Sequence, residues 1–588
     1  MDFRSLAQAF DEISTKSSRT EITQLLAVLF EKASAREVQI ITYLALGELR
    51  APYEGTKFNM SDRSIKKMLP ALLDRTEKDL EKDIKSMGDL GQVVAAGTWR
   101  IKNHLSIEQV YDFLCEIEHI SGVGSQEERL STVHALLKQL EPISAGLVVR
   151  MVLGKLRLGF SDMTIIDALS WMLAGDKSLH KKIENGYNLC ADIGLIALTL
   201  KKHGIEGLEK IDVIVGIPIR PAAAERLPTA QAIIDKLGHC VAQPKLDGIR
   251  LQVHVDKRKK HPKMHFFSRN LQDMSNMFPD LVAALQDFPV DTCIMEGEAI
   301  VYDKKARKFL PFQETVKRKR KHDIEGAVQD LPLTLFIFDI LYLDGHSLLS
   351  REHHTRRDIT AKLFSNYSSE YVRIIDEWPI TTAHQLERLF KKALQEGLEG
   401  LVLKRPDAHY QPGKRNFNWI KLKRQEGANV IDTLDVVVLG YYAGQGKRAG
   451  FGIGAFLVGV YNARKDCFET IAKIGTGLTD EQWAGIKKRC DKLHVKEQPA
   501  NVVCAPSLAP DVWVVPEIVV VVRADEISQS PVHTAGKVGK ETGFALRFPR
   551  MMDYCHDKSA EQATTVDEVK KLYAFQGRAV RADAEAID

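Results

Sequence analysis

The run Lys245-Leu246-Asp247-Gly248-Ile249-Arg250 decides how this chain is read. Its lysine follows a short apolar strand, Asp247-Gly248 makes a turn at which backbone can approach a ligand, and Arg250 opens the next strand. A lysine becomes a nucleophile only on losing its proton, which takes desolvation or a neighbouring cation to bring the amine down from about 10.4. An ordinary hairpin with a solvated lysine is the competing reading. By average usage, Lys-x-Asp-Gly-x-Arg arises by chance in roughly one chain of this length in a hundred. The hexapeptide therefore needs partners elsewhere in the sequence.

Outward from it, the texture on the C-terminal side is short strands, at Ile249 to Val255, Ile294 to Val301 and Leu333 to Phe338, separated by helical stretches such as Thr382 to Glu396. That pattern predicts a mixed α and β domain over residues 213–426, ending near the basic run Trp419 to Arg424. On the N-terminal side, Ser18-Arg19-Thr20-Glu21 fits a capping box, and Ile22, Leu25, Leu26 and Leu29 follow at helical spacing. An all-α domain over 1–212 is expected, closed by Pro218 and Pro221. Beyond residue 427, Leu434 to Tyr442, Gly454 to Tyr461, Glu469 to Ile474 and Trp513 to Val522 look like strands divided by glycine-rich turns, which predicts a small all-β barrel over 427–588.

A chain of 588 residues is too long for one hydrophobic core, so two to four domains are expected. With 44% hydrophobic and 27% charged residues the composition is that of an ordinary globular protein. The net charge of +4 is far from that of a histone-like tail, so nucleic-acid binding would need basic residues gathered on particular faces. The start of the chain lacks the apolar core of a signal peptide, and no apolar stretch approaches the roughly 20 residues that span a bilayer. An intracellular protein is expected. Its eight cysteines include no Cys-x-x-Cys pair, which argues for reduced thiols and against a zinc module. The run Lys317 to His322 reads either as a nucleic-acid patch or as a solvated face, and Lys257 to Lys260 as a hairpin tip.

Five further runs follow the lysine in order: Ser268-Arg269-Asn270, Glu296-Gly297-Glu298, Phe336 to Gly345, Glu399 to Lys404, and Trp419 to Lys423. Together with the hexapeptide they resemble the ordered motifs of the covalent nucleotidyltransferases. The long helical segment ahead of Lys245 and the run Leu546 to Arg550 resemble, more narrowly, the archaeal and eukaryotic type of ATP-dependent DNA ligase. The resemblance covers essentially the whole chain. It implies an N-terminal DNA-binding domain, a nucleotidyltransferase (adenylation) domain and a C-terminal OB-fold. The implied reaction seals nicks in duplex DNA with ATP and Mg²⁺, and Lys245 is the nucleophile that carries AMP.

The resemblance also assigns roles. Lys421 and Lys423 would contact the α-phosphate, and alternation along a strand places both on one face. Glu298 and Glu399 would bind ribose or a divalent ion, since Mg²⁺ prefers few carboxylates plus water and phosphate oxygens. Phe338 would stack on adenine. Arg250 and Arg269 would grip ribose and later the 5′-phosphate through forked donors. Arg415 matches a further nucleotide-site arginine. Basic, glycine-rich loops at Gly444 to Gly450 and Lys473 to Gly477 suit contact with nucleic-acid backbone, though solvated turns explain them nearly as well. A monomer is expected, and a sliding clamp is a partner that the sequence does not reveal.

Two positions depart from the family. Where it usually has a glutamate accepting from the adenine amino group, this chain has Gln243, which keeps an acceptor oxygen and loses the charge. Where the C-terminal motif usually reads Arg-x-Asp-Lys, orienting the pyrophosphate, this chain has Cys555-His556-Asp557-Lys558. An RNA ligase, a capping guanylyltransferase and a nick-binding protein without catalysis are the alternatives; the helical region ahead of Lys245 argues against the first two. With the arginine missing, the first step is expected to lean on Lys558. Lys558→Ala should slow adenylylation of the enzyme in a single-turnover assay, and a wild-type rate would remove that role.

Overall fold

The computed structural model describes the chain except residues 17, 102–103, 157, 159–160, 259, 261, 304–307, 310–314, 316–317, 319–330, 424–432, 445–449, 525, 540, 556–557 and 575–588. It separates into two compact units, one of Met1–Leu80 with Gly91–Arg424 and one of Glu81–Leu90 with Gln425–Asp588.

The first 208 residues are helical, as expected. Ser18 caps the helix Arg19–Lys32 by accepting the Glu21 N–H at 3.4 Å, which is half of the expected capping box, and Ile22, Leu26 and Leu29 are buried while Leu25 is half-buried. Helix Ala35–Ala45 meets helix Ile193–Leu208 through the Tyr43 hydroxyl, which donates to Asp192 at 2.8 Å. Gly194 makes that crossing close: a Cβ there would lie 2.2 Å from the Tyr43 ring.

Residues 223–423 build two sheets from the strands β1 (Ala223–Arg226), β2 (Cys240–Lys245), β3 (Ile249–Asp256), β4 (Lys263–Ser268), β5 (Thr292–Asp303), β6 (Lys308–Phe309), β7 (Leu333–Leu343), β8 (His346–Ser347), β9 (Val372–Ile374), β10 (Trp378–Ile380), β11 (Gly400–Lys404) and β12 (Arg415–Lys423). One sheet runs β1-β12-β11-β2-β10; the other runs β4-β3-β5-β7-β8, with β6 on β5 and β9 on β7. β2 and β3 therefore belong to different sheets, and the hairpin reading of Lys245 to Arg250 falls. Leu246-Asp247-Gly248 instead carries the chain from one sheet to the other. Gly248 is needed there for space, because a Cβ would stand 2.5 Å from the Ala299 carbonyl oxygen. The tip expected at Lys257 to Lys260 does join β3 to β4 as a hairpin.

Helix His353–Ser365 is pinned beneath β7 by a buried ion pair, with Arg356 Nε and Nη2 donating to the two Asp339 oxygens at 2.7 and 2.9 Å. Burial alone would raise the Asp339 carboxyl; Arg356 and Lys404 overcome this and hold it well below the usual carboxylate range. Within the run Lys317 to His322 only Arg318 is described, and neither the solvated face nor the nucleic-acid patch fits it: it is buried, donating to Asp280 at 2.6 Å.

In the second unit, Leu434–Tyr442, Ala455–Asn462 and Cys467–Ile474 form an antiparallel meander in an eight-stranded sheet. The helix Asp480–Lys492 inserts Trp483, Ile486 and Cys490 into its core. The expected strand Trp513 to Val522 is two strands, Val512–Val514 and Val519–Arg523, because Pro516 has no N–H to continue a ladder. Lys558 donates to Asp435 at 2.5 Å, and Cys555 packs on the cluster around Phe468 and Val502. The loop residues 445–449 lie outside the described residues. All eight cysteines are free thiols. Among the described residues no helix is long and apolar enough to cross a membrane.

Removing one partner of a buried ion pair leaves the other charge uncompensated, which costs about 3–5 kcal/mol. Arg356→Ala should therefore lower the denaturation midpoint of the full chain by a corresponding amount, and an unshifted midpoint would remove Asp339–Arg356 as a structural tie.

Candidate active site

Register builds the site. Across β2, β11 and β12, Gly400 lies between Lys245 and Lys423, and Val402 lies between Gln243 and Lys421. Residues two apart on a strand share a face, so Gln243 goes with Lys245 and Lys421 with Lys423. With side chains from β3, β5 and β7 of the second sheet they line a cavity of about 1000 Å³. Of the residues predicted from sequence, Gln243, Lys245, Arg250, Arg269, Glu298, Phe338, Glu399, Lys421 and Lys423 all line it. Arg415 does not; it is exposed at the first position of β12, opposite Ala223.

Glu399 is the hub of one end. One of its oxygens accepts from the Lys245 ammonium and the other from Lys423. Burial would raise its carboxyl, but these two lysines outweigh burial and hold it below the usual value. Lys421 is shifted down, first by burial and then by the charges of Lys423, Arg415, Lys245 and Arg269. The two other carboxyls move up. Burial raises Asp247, with Glu399 adding to it, and burial pushes Glu298 up to about 7 against the pull of Lys245 and Arg250. This end thus crowds cations on one wall and places under-compensated carboxyls on the other, an arrangement suited to phosphate oxygens together with a divalent ion.

Arg250 is held more tightly by the protein than the sequence suggested. Its Nη2 donates to both Glu296 oxygens at 3.0 Å and its Nη1 to the Ala222 carbonyl at 2.9 Å. The guanidinium lies 5.4 Å from the Phe338 ring and 5.8 Å from that of Trp419, and only its Nε is without a partner among the described residues. Tyr410 also donates to Glu296, at 2.9 Å.

The other end is apolar and buried. Phe338 and Trp419 meet edge to face with ring centroids 6.1 Å apart. Lys404 lies beside both, 5.0 Å from the first ring and 4.3 Å from the second, and donates to the Phe338 carbonyl at 2.9 Å. Burial brings its ammonium down to about 8, although Asp339 opposes the shift. The sequence reading assigned no role to Lys404, Trp419, Glu296 or Glu377. Lys404, Trp419 and Glu296 stood inside the quoted motifs and so had a signal; Glu377, in the loop before β10, had none.

Three family models match in chain order: DNA ligase N terminus over residues 2–170, ATP dependent DNA ligase domain over 221–423, and ATP dependent DNA ligase C terminal region over 449–558. The chain belongs to the ATP-dependent DNA ligase family. It is 43% identical over 98% of both chains to a probable DNA ligase of Dictyoglomus thermophilum, and 36% identical over 97% of both chains to DNA ligase 2 of Thermofilum pendens. The solved structure Pmar-Lig_PreS3 shares the fold over 93% of this chain and 99% of its own, with a TM-score of 0.54 at 16% identity. The three-domain ligase architecture, with a helical N-terminal region, a central ATP-dependent ligase domain and a sheet-rich C-terminal region, is therefore shared along the chain, and ATP is the family's substrate.

The raised carboxyl of Glu298 has a consequence for stability. A carboxyl whose folded pKa lies above its unfolded value stabilises the fold at low pH, and that contribution is lost as pH rises towards the folded pKa. The unfolded value is near 4.5 and the folded value about 7. From pH 5.5 to pH 8 the wild type should lose roughly 2 kcal/mol relative to Glu298→Gln. Thermal melts of both proteins in a chelator check this, and parallel pH profiles would contradict it.

Proposed function

We propose that this chain seals nicks bearing a 5′-phosphate and a 3′-hydroxyl in duplex DNA, with Lys245 as the residue that takes AMP. The observation that carries the assignment is the row Lys245, Gly400, Lys423 beneath Glu399, which holds one candidate nucleophile among cations in the cavity that Phe338 and Trp419 also line. The Lys245 amine attacks the α-phosphorus of ATP, the bond to the β-phosphate oxygen breaks, and pyrophosphate leaves. AMP then passes to the 5′-phosphate of the nick, and the 3′-hydroxyl displaces it. Each transfer spreads charge over non-bridging oxygens, which Lys421 and Lys423 are placed to stabilise.

Phe338 and Trp419 offer aromatic surface to the base, and Arg250, anchored by Glu296, lies beside both rings and lines the same cavity. Arg269, exposed after β4, is free to meet the 5′-phosphate of the nick. Glu298 and Glu399 suit Mg²⁺, which takes one or two carboxylates and completes its shell with water and substrate oxygens, and among the described residues no larger cluster of metal-binding side chains competes with them. Bound there, Mg²⁺ would neutralise phosphate charge.

The three regions fit a helical DNA-binding domain at 1–212, an adenylation domain at 213–426 and an OB-fold domain at 427–588. The meander from Leu434 to Ile474 with its inserted helix supports the last of these. Recognition of the nick would rest on phosphate contacts and duplex shape, with little base readout.

Incubation with α-labelled ATP and Mg²⁺ should place label on the chain, addition of nicked DNA should chase it, and Lys245→Ala should take none. Label persisting in Lys245→Ala would overturn the assignment.

A further inference from the structure

At the base end of the cavity one amide decides which purine edge is welcome. Gln243 is 2% exposed, lines the cavity beside Phe338, and shares a strand face with Lys245 two residues on. A primary amide can donate from nitrogen or accept at oxygen, so a freely turning Gln243 could greet either the amino group of adenine or the carbonyl of guanine. It does not turn freely. Its Nε2 donates to Glu377 Oε2 at 2.7 Å and reaches the Phe338 carbonyl at 3.4 Å, and both of these groups are acceptors. Flipping the amide would set oxygen against two oxygens. Oε1, to which no described group donates, is therefore the atom left for the cavity.

Glu377 can hold the amide because it is held itself. His353 Nε2 lies 2.9 Å from the same Glu377 oxygen, on the helix that Arg356 ties to Asp339. Burial alone would raise the Glu377 carboxyl, but the His353 hydrogen bond and the charges of His353, Lys404 and Arg357 keep it below its usual value. It stays an acceptor.

We propose that Glu377, braced by His353, is a specificity-determining positioning residue that fixes the Gln243 amide with its oxygen towards the base and so selects a 6-amino purine over a 6-oxo purine. The inference rests on the nucleotide reading of the cavity given above. It also accounts for the glutamine itself: a glutamate at 243 would bring a second carboxylate within 2.7 Å of the first. The negative charge is present at this site, one hydrogen bond further from the cavity.

The test measures adenylylation of the full chain with ATP and with GTP for wild type, Glu377→Gln, Gln243→Glu and the exchanged pair Gln243→Glu/Glu377→Gln. In Glu377→Gln the new amide can donate as well as accept, so Gln243 can flip; the ratio of kcat/KM for ATP to that for GTP should fall about tenfold, mainly through KM for ATP. Gln243→Glu alone should lose more, and the exchanged pair should recover most of that loss. A folded Glu377→Gln with the wild-type ratio, or an exchanged pair no better than Gln243→Glu alone, would overturn the proposal; should Glu377→Gln fail to fold, the exchanged pair decides. Label on Lys245→Ala would instead be a failure of the underlying nucleotide reading, and the two outcomes are distinct.

Discussion

Glu399 holds two ammonium groups that would otherwise repel each other, and the geometry of the central sheet exists to let it do so. Lys245 ends β2, Lys423 ends β12, and Gly400 begins β11 directly between them. The approach is too close for any other residue: Gly400 has φ of +148°, and a Cβ there would stand 2.1 Å from the Leu422 carbonyl oxygen. Glycine at 400 thus sets the spacing of two lysines by letting the flanking strands draw together. The carboxylate next to it in sequence then offsets their charge.

Behind this row the charges are of another kind. Asp339, Arg356, Lys404, Glu377 and His353 are buried or nearly so, and they neutralise one another. Taking such groups out of water is costly, and a packed apolar cluster of the same volume would serve stability as well or better. What the network supplies is placement. Lys404 and Arg356 sit on different elements but converge on Asp339, one residue after Phe338, so the backbone that carries the aromatic ring is held from two sides. The carbonyl of Phe338 takes the Lys404 proton donor on one side and the Gln243 amide on the other. The aromatic and the lysine-rich ends of the cavity are therefore tied to the same strands.

Much of this was legible in the chain. The strand expected at Leu434 to Tyr442 is found with the same ends, and Ile249 to Val255 is one residue short of β3, because short runs of β-branched and other apolar residues are a local signal that survives folding. That certain lysines and carboxylates come together in one cavity was legible for a different reason: they lie on the ordered motifs quoted from the sequence. What stayed hidden depends on long-range geometry. Periodicity does not say that β2 and β3 diverge into separate sheets, since the turn between them reads like a hairpin turn until the pairing partners are known. Glu377 lies 134 residues from the amide it binds and in no periodic segment. Arg318 looked solvated because its neighbours in sequence are basic, whereas its partner Asp280 is distant. Arg415 matched a motif by position, and it stands exposed at the first residue of β12, outside the residues that line the cavity.

The charge pattern along the cavity follows from how far each group is from water. Lys245, Lys423 and Glu399 keep side-chain exposures of 22%, 28% and 26%, so they can exchange partners with an incoming ion at modest cost. Lys404 and Asp339, at 1% or less, cannot. A ligand with a flat apolar end and an anionic end can enter such a gradient in only one sense. The buried end accepts the group that needs no counterion, and the accessible end accepts the group that does. Orientation is thereby settled before any specific hydrogen bond forms, and under the nucleotide reading proposed above the amide of Gln243 is left with the narrower task of distinguishing one purine edge from another.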